Sequence, residues 1–135
     1  MAEGRLLIVD DNPNVLRALR LFLKGEFAEV RGISNPNVLP SELEKSNWDV
    51  VLLDMNFRAG INTGNEGIHW LKQIHEFDSS VSVVLITAYG DVELAVRGIR
   101  SGAFDFILKP WQNAKLHATI LSAIKMNETT REYEK

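Results

Sequence analysis

Asp10 and Asp11, Asp54, Thr87 and Lys109 are the residues of this chain whose types and placement can do chemistry. Each lies at or directly after the end of a short apolar run: RLLIV (5–9), VVLL (50–53), VSVVLIT (81–87) and FDFIL (104–108). Two carboxylates about 4 Å apart repel by roughly 4 kcal/mol at an effective dielectric near 20. Three acids brought together make three such pairs, a sum that rivals the ~5–15 kcal/mol stability of a whole domain. Either some acids are protonated or cations sit among them. Lys109 supplies one positive charge, and a divalent ion would complete the balance. Hard oxygen ligands without His or Cys select Mg²⁺, which keeps several waters and so leaves positions for phosphoryl oxygens. An Asp carboxylate in such a site can attack phosphorus in line and become an acyl phosphate.

The elements that must position these residues follow from periodicity. The four runs read as strands, and AEVRGI (28–33) is a fifth, more polar one. Asn12 and Pro13 are an N-cap and first helical residue; Val15, Leu16, Leu19, Phe22 and Leu23 then share a face, and Gly25 stops the helix. A second helix between Asn37 and Lys45 is interrupted by Pro40, and Ile68, Leu71 and Ile74 carry a third. Val92, Ala95, Val96 and Ile99 are expected to form the core face of the fourth, with Leu94 off it. Leu116, Ile120, Ala123 and Ile124 do the same for the fifth, with Leu121 off it. Alternating strands and helices predict a (βα)5 α/β fold, a doubly wound parallel sheet of order 2-1-3-4-5, flavodoxin-like. Ligands of such a sheet bind beyond the carboxyl ends of the strands, where all five residues fall.

Composition narrows the class. The 135 residues suffice for one domain, and 15 basic against 18 acidic residues give a net charge of −3, with no basic block to follow nucleic acid. There is no Cys for disulfides or thiolate metal sites. No leader is evident, and the apolar runs are too short to span a bilayer, so a cytoplasmic protein is expected. His69, His75 and His117 read as surface residues, and Trp70 and Trp111 as packing residues.

Asp10-Asp11, Asp54, Thr87 and Lys109-Pro110, in this order at successive strand ends, resemble the receiver domain of bacterial two-component response regulators over about residues 5–125. The resemblance implies that Asp54 is the phosphoacceptor and that Asp11 binds Mg²⁺ directly and Asp10 through water. The backbone carbonyl of Asn56 would complete the protein ligands, with Thr87 and Lys109 holding the phosphoryl group. Phe106, three residues before the lysine, stands at the family's switching aromatic position, and the Lys109–Pro110 bond is expected to be cis. A sensor histidine kinase or phosphotransfer protein is the implied partner. The domain would assist its own phosphorylation and dephosphorylation without being an enzyme in the ordinary sense.

The loop after Asp54, MNFRAGINTGNEG, lacks the usual Met-Pro and is about five residues longer than the common pattern. That loop, with VLITAYGDVELAV and KPW, is similar to receivers of NtrC-like AAA+ transcriptional activators. Residues 1–125 are thus expected to form the receiver, and the polar segment 126–135 (MNETTREYEK) to begin a linker to an output domain, which the likeness implies acts on transcription. Leu94, Arg97 and Leu121, with Phe106, are candidates for an output face on the fourth helix, fifth strand and fifth helix, through which a phosphorylation-dependent homodimer could form. Direct nucleic-acid or membrane binding by this domain is not expected. The turn after the first strand has no glycines for a dinucleotide, and the D-x-D of haloacid-dehalogenase-type phosphatases is missing there. The alternative is a receiver-fold interaction module that is not phosphorylated, which phosphotransfer and Mg²⁺ titration distinguish.

Overall fold

The computed structural model describes residues 4–55 and 65–133. Strands β1 (Arg5–Val9), β2 (Glu29–Ile33), β3 (Val50–Asp54), β4 (Ser82–Ala88) and β5 (Asp105–Lys109) alternate with five α-helices. These are α1 (Pro13–Leu23), α2 (Leu39–Lys45), α3 (Asn65–Phe77), α4 (Val92–Arg100) and α5 (Asn113–Tyr133). All strand pairs are parallel, in the expected order β2-β1-β3-β4-β5. The period-two alternation of the central strands divides the core into two layers. Val51 and Leu53 pack with Leu43, Trp48, Leu71 and Ile74 on the α2–α4 side. Val50 and Leu52 pack with Leu19, Leu23, Leu116 and Ile120 on the α1 and α5 side. β2 is an edge strand, which is why it can be polar.

Local chemistry explains the helix starts. Asn12 Oδ1 accepts from the N–H groups of Asn14 and Val15 at 2.9 and 3.4 Å, satisfying two donors that the first turn of α1 leaves open. Pro40 does not break the second helix. A single 3-10 turn spans Pro36–Val38, and Pro40 falls in the first turn of α2, where an N–H has no intrahelical acceptor to lose. Trp70 and Trp111 pack against the two core layers as expected. His75 and His117 are half-buried rather than free on the surface: His75 Nε2 is 3.2 Å from Val81 O, and His117 Nε2 is 3.5 Å from Glu26.

The face that α4 buries differs from the expected one. Val92, Val96 and Ile99 are 41%, 39% and 37% exposed, whereas Ala95 and Gly98 are buried and Leu94 packs against the core. Gly98 explains the rotation. A Cβ there would lie 2.2 Å from Leu85 Cδ1, so the helix backbone approaches β4 at the glycine and the valines turn outward. Leu94 is therefore a packing residue, while Arg97 and Leu121 are exposed as expected.

The segment expected to leave the domain after residue 125 continues α5 to Tyr133. Asn127 is fully buried, and its Nδ2 donates to Ser80 O. One turn on, Arg131 donates to Asp49 Oδ1 at 2.8 Å, Ser80 Oγ at 3.0 Å and Trp48 O at 3.1 Å. Polar side chains dock these turns, so an apolar stripe could not reveal them.

Candidate functional site

Strand register brings the chemistry to one end of the sheet. Val9 pairs with Leu53, Asp54 with Ile86, Thr87 with Leu108 and Ala88 with Lys109, so the residues closing β1, β3, β4 and β5 share one rim. One carboxylate oxygen from each of Asp10, Asp11 and Asp54 lies within 4.8 Å of the others. Asp10 and Asp54 are almost completely buried, at 0% and 1% exposure, and Asp11 is half-buried. The expected convergence of three acids is therefore present.

Lys109 reaches across the rim. Its Nζ is 3.2 Å from Asp54 Oδ1 and 3.2 Å from Asp10 Oδ2. The Asn12 N–H donates to Asp10 Oδ1 at 2.9 Å and fixes that carboxylate's orientation. Burial pushes the Asp10 carboxyl above its ordinary range, against the Asn12 N–H and the Lys109 ammonium, while Asp11 adds to the rise by like-charge repulsion. Burial would lower Lys109, but Asp54 and Asp10 beside it outweigh that and hold its ammonium more firmly charged than usual. One ammonium shared by a cluster of three acids leaves net negative charge in a largely water-excluded place. The donor set is all carboxylate oxygen, which fits a hard divalent cation such as Mg²⁺. Asp10, Asp11 and Asp54 would hold it; Asn56, whose carbonyl was the fourth expected ligand, lies outside the described residues.

Thr87 is fully buried, and its Oγ1 has no hydrogen-bond partner among the described residues. A buried hydroxyl without a partner costs about 1–3 kcal/mol, so it marks a place where an acceptor is wanted. Phe106 is half-buried and packs against the α2–α4 core layer. The Lys109–Pro110 bond is cis, as expected.

Met55 is a residue that site chemistry in the sequence did not single out. It is fully buried directly after Asp54, and a Cβ on Gly67 would lie 2.6 Å from its Sδ. A Cβ on Gly98 would come within 3.7 Å of its Cε. The side chain next to Asp54 thus touches the start of α3 and the glycine notch of α4. Its signal in the sequence was only its adjacency to Asp54.

The carboxyl rim of this doubly wound parallel sheet thus carries an acid cluster, a buried hydroxyl and a lysine. The chain belongs to the response regulator receiver domain family, whose model matches residues 6–121. It is 32% identical over 131 residues to the C4-dicarboxylate transport transcriptional regulatory protein DctD of Pseudomonas aeruginosa, covering 97% of this chain and 27% of that protein. It is 31% identical to the regulatory protein AtoC of Escherichia coli, with the same coverage. The chain thus spans little more than a quarter of these curated relatives. Among solved structures, the N-terminal signal receiver domain of a two-component response regulator from Bacteroides fragilis has a TM-score of 0.83 and 49% identity, over 91% of this chain and 98% of that one. NtrX from Brucella abortus, in complex with ADP, superposes with a TM-score of 0.88 and 27% identity, over 99% of this chain and 30% of that one. The chain is a receiver domain of the two-component type, with homologues among NtrC-like response regulators.

Proposed function

We propose that Asp54 accepts a phosphoryl group from a histidine kinase or phosphotransfer protein in a Mg²⁺-dependent reaction, and that the domain works in the cytoplasm as a phosphorylation-activated switch. The observation that carries this reading is the buried acid cluster of Asp10, Asp11 and Asp54 bridged by Lys109. Bound Mg²⁺ would supply the positive charge that the cluster lacks and stabilise the phosphoryl oxygens. Asp54 is the nucleophile: its carboxylate oxygen forms the new bond to phosphorus, and the donor's nitrogen leaves. Asp10 and Asp11, with the Asn56 carbonyl, are the other metal-holding groups. Lys109, held charged by its neighbours, neutralises a transferred oxygen, and the Thr87 hydroxyl donates to another.

Movement of Thr87 toward the phosphoryl group would open space beside β4 into which Phe106 can turn, converting a charge change into a shape change. The output face then comprises Val92, Val96 and Ile99 of α4, with Arg97, Phe106 and Leu121; the three exposed apolar residues replace Leu94 in the expected set. Such a face suits a phosphorylation-dependent, isologous homodimer. Transcription is the proposed output, because the curated relatives are transcriptional regulatory proteins. Residues 126–133 would carry the signal onward as a continuation of α5 rather than as a slack linker.

Intact-mass measurement after incubation with acetyl phosphate tests this reading. One added phosphoryl mass with Mg²⁺, and none with a chelator or in Asp54→Asn, is expected. An unmodified mass under all conditions would favour an interaction module that keeps the fold without the chemistry.

A further inference from the structure

We propose that the groove between α1 and the edge strand β2 docks an acidic, amphipathic segment of a partner protein. The groove is a cavity of about 540 Å³ that runs from Pro13 to Lys24 along the flank of the sheet. Its apolar lining comes from Leu16, Leu21 and Val30, and Leu21 is 71% exposed, the most exposed large apolar side chain among the described residues. Gly32 on β2 keeps the groove wall close: a Cβ there would lie 3.0 Å from Leu16 Cδ2 and 3.1 Å from Arg20 Cδ, so the stem of Arg20 rests against the strand.

The charge on this groove has one sign. Arg17 and Arg20, one turn apart on α1, line it together with Lys24, the residue that caps the helix. None of the three groove cations has a carboxylate partner among the described residues, unlike Arg5, Arg31, Lys45, Lys109 and Arg131; they share this with Lys72, Arg100, Lys115 and Lys125, but only these three line one groove. A row of unpaired cations on a chain of net charge −3 complements a partner carrying carboxylates, and the apolar floor asks for a buried apolar side chain from the same segment. The overall negative charge disfavours nucleic acid and anionic lipid, which would meet the whole surface. Eleven residues of α1 span about 16 Å, enough for three turns of a docked helix. Because the groove lies along the flank and needs neither Asp54 nor a metal, this docking is independent of phosphoacceptance.

An NMR titration of the ¹⁵N-labelled protein tests the proposal with a capped 12-residue peptide bearing Leu at helical i, i+4, i+7 spacing and Glu beside each Leu. Saturable shifts confined to residues 13–24 and 30–34 are expected. Affinity should fall about tenfold in Arg17→Glu/Lys24→Glu and in Leu21→Ser, and with the Glu positions changed to Lys, yet stay unchanged in Asp54→Asn. Absence of saturable shifts, equal binding of the Lys peptide, or tighter binding to phosphatidylglycerol vesicles than to the Glu peptide would overturn it.

Discussion

The Lys109 ammonium stands 3.2 Å from Asp54 Oδ1 and joins the ends of β5 and β3 across 55 residues of sequence. The same nitrogen is 3.2 Å from Asp10, so one cation holds together two carboxylates that would otherwise repel. Anything that adds a cation to this rim, or removes an anion from it, should register as stability.

Asp11→Asn removes a charge from the cluster while keeping its shape. Without Mg²⁺ the variant should melt a few degrees higher than wild type, on the order of 1 kcal/mol of relieved repulsion. Adding Mg²⁺ should then stabilise wild type and leave the variant nearly unchanged. A lower melting temperature in chelator, with an intact response to Mg²⁺, would contradict the role given to Asp11.

Thr87→Val exchanges the unpartnered buried hydroxyl for a methyl of similar volume. The unphosphorylated protein should gain about 1 kcal/mol, since nothing bonded is lost. Phosphorylation should still occur, but the accompanying NMR shifts in α4 should shrink. Destabilisation of the variant would indicate that the hydroxyl already has a partner.

Arg131→Ala should lower the melting temperature although the residue belongs to neither apolar layer. It removes three hydrogen bonds that tie α5 to Asp49, Trp48 and Ser80, for a loss of about 1–3 kcal/mol. Faster amide exchange in residues 127–132, measured by mass spectrometry, should accompany it. Unchanged exchange would mean that these turns are held by something else.

Glu42 offers a pH test away from the site. Hydrogen bonding to Arg31, whose Nη2 donates to Oε1 at 3.0 Å while its Nε stands 2.6 Å from Oε2, lowers its pKa against the opposing effect of burial, with further help from Lys45 at 3.0 Å. A depressed pKa stabilises the fold above the ordinary carboxyl value of 4.5, and that contribution disappears as pH falls through the folded value. Glu42→Gln should therefore melt on the order of 5 °C lower at pH 7, with the gap closing below about pH 4.5. A gap that persists in acid would show that packing, not charge, is at work.

Much of this architecture is legible in the residues themselves. Asp10, Asp54, Thr87 and Lys109 each follow an apolar strand, and parallel strands place such ends on one rim, so the cluster is implied by order alone. Helix faces are less transparent. Val92, Val96 and Ile99 have faultless helical spacing, yet Gly98 wins the interior because close approach to Leu85 needs a residue with no side chain. Asn127 and Arg131 escape hydropathy altogether, since their contacts are hydrogen bonds whose partners lie more than 40 residues away. Pro40 misleads in the opposite sense, because a proline two residues into a helix is a start rather than a break.

The central claim is that Asp54 carries the phosphoryl group. Borohydride reduces an acyl phosphate to an alcohol, so trapping after acetyl phosphate and Mg²⁺ treatment, followed by peptide mass mapping, reads the modified carboxylate directly. Homoserine at position 54 alone, absent when Mg²⁺ is chelated, is the predicted result. Homoserine at position 10 or 11, or no conversion at all, would contradict it.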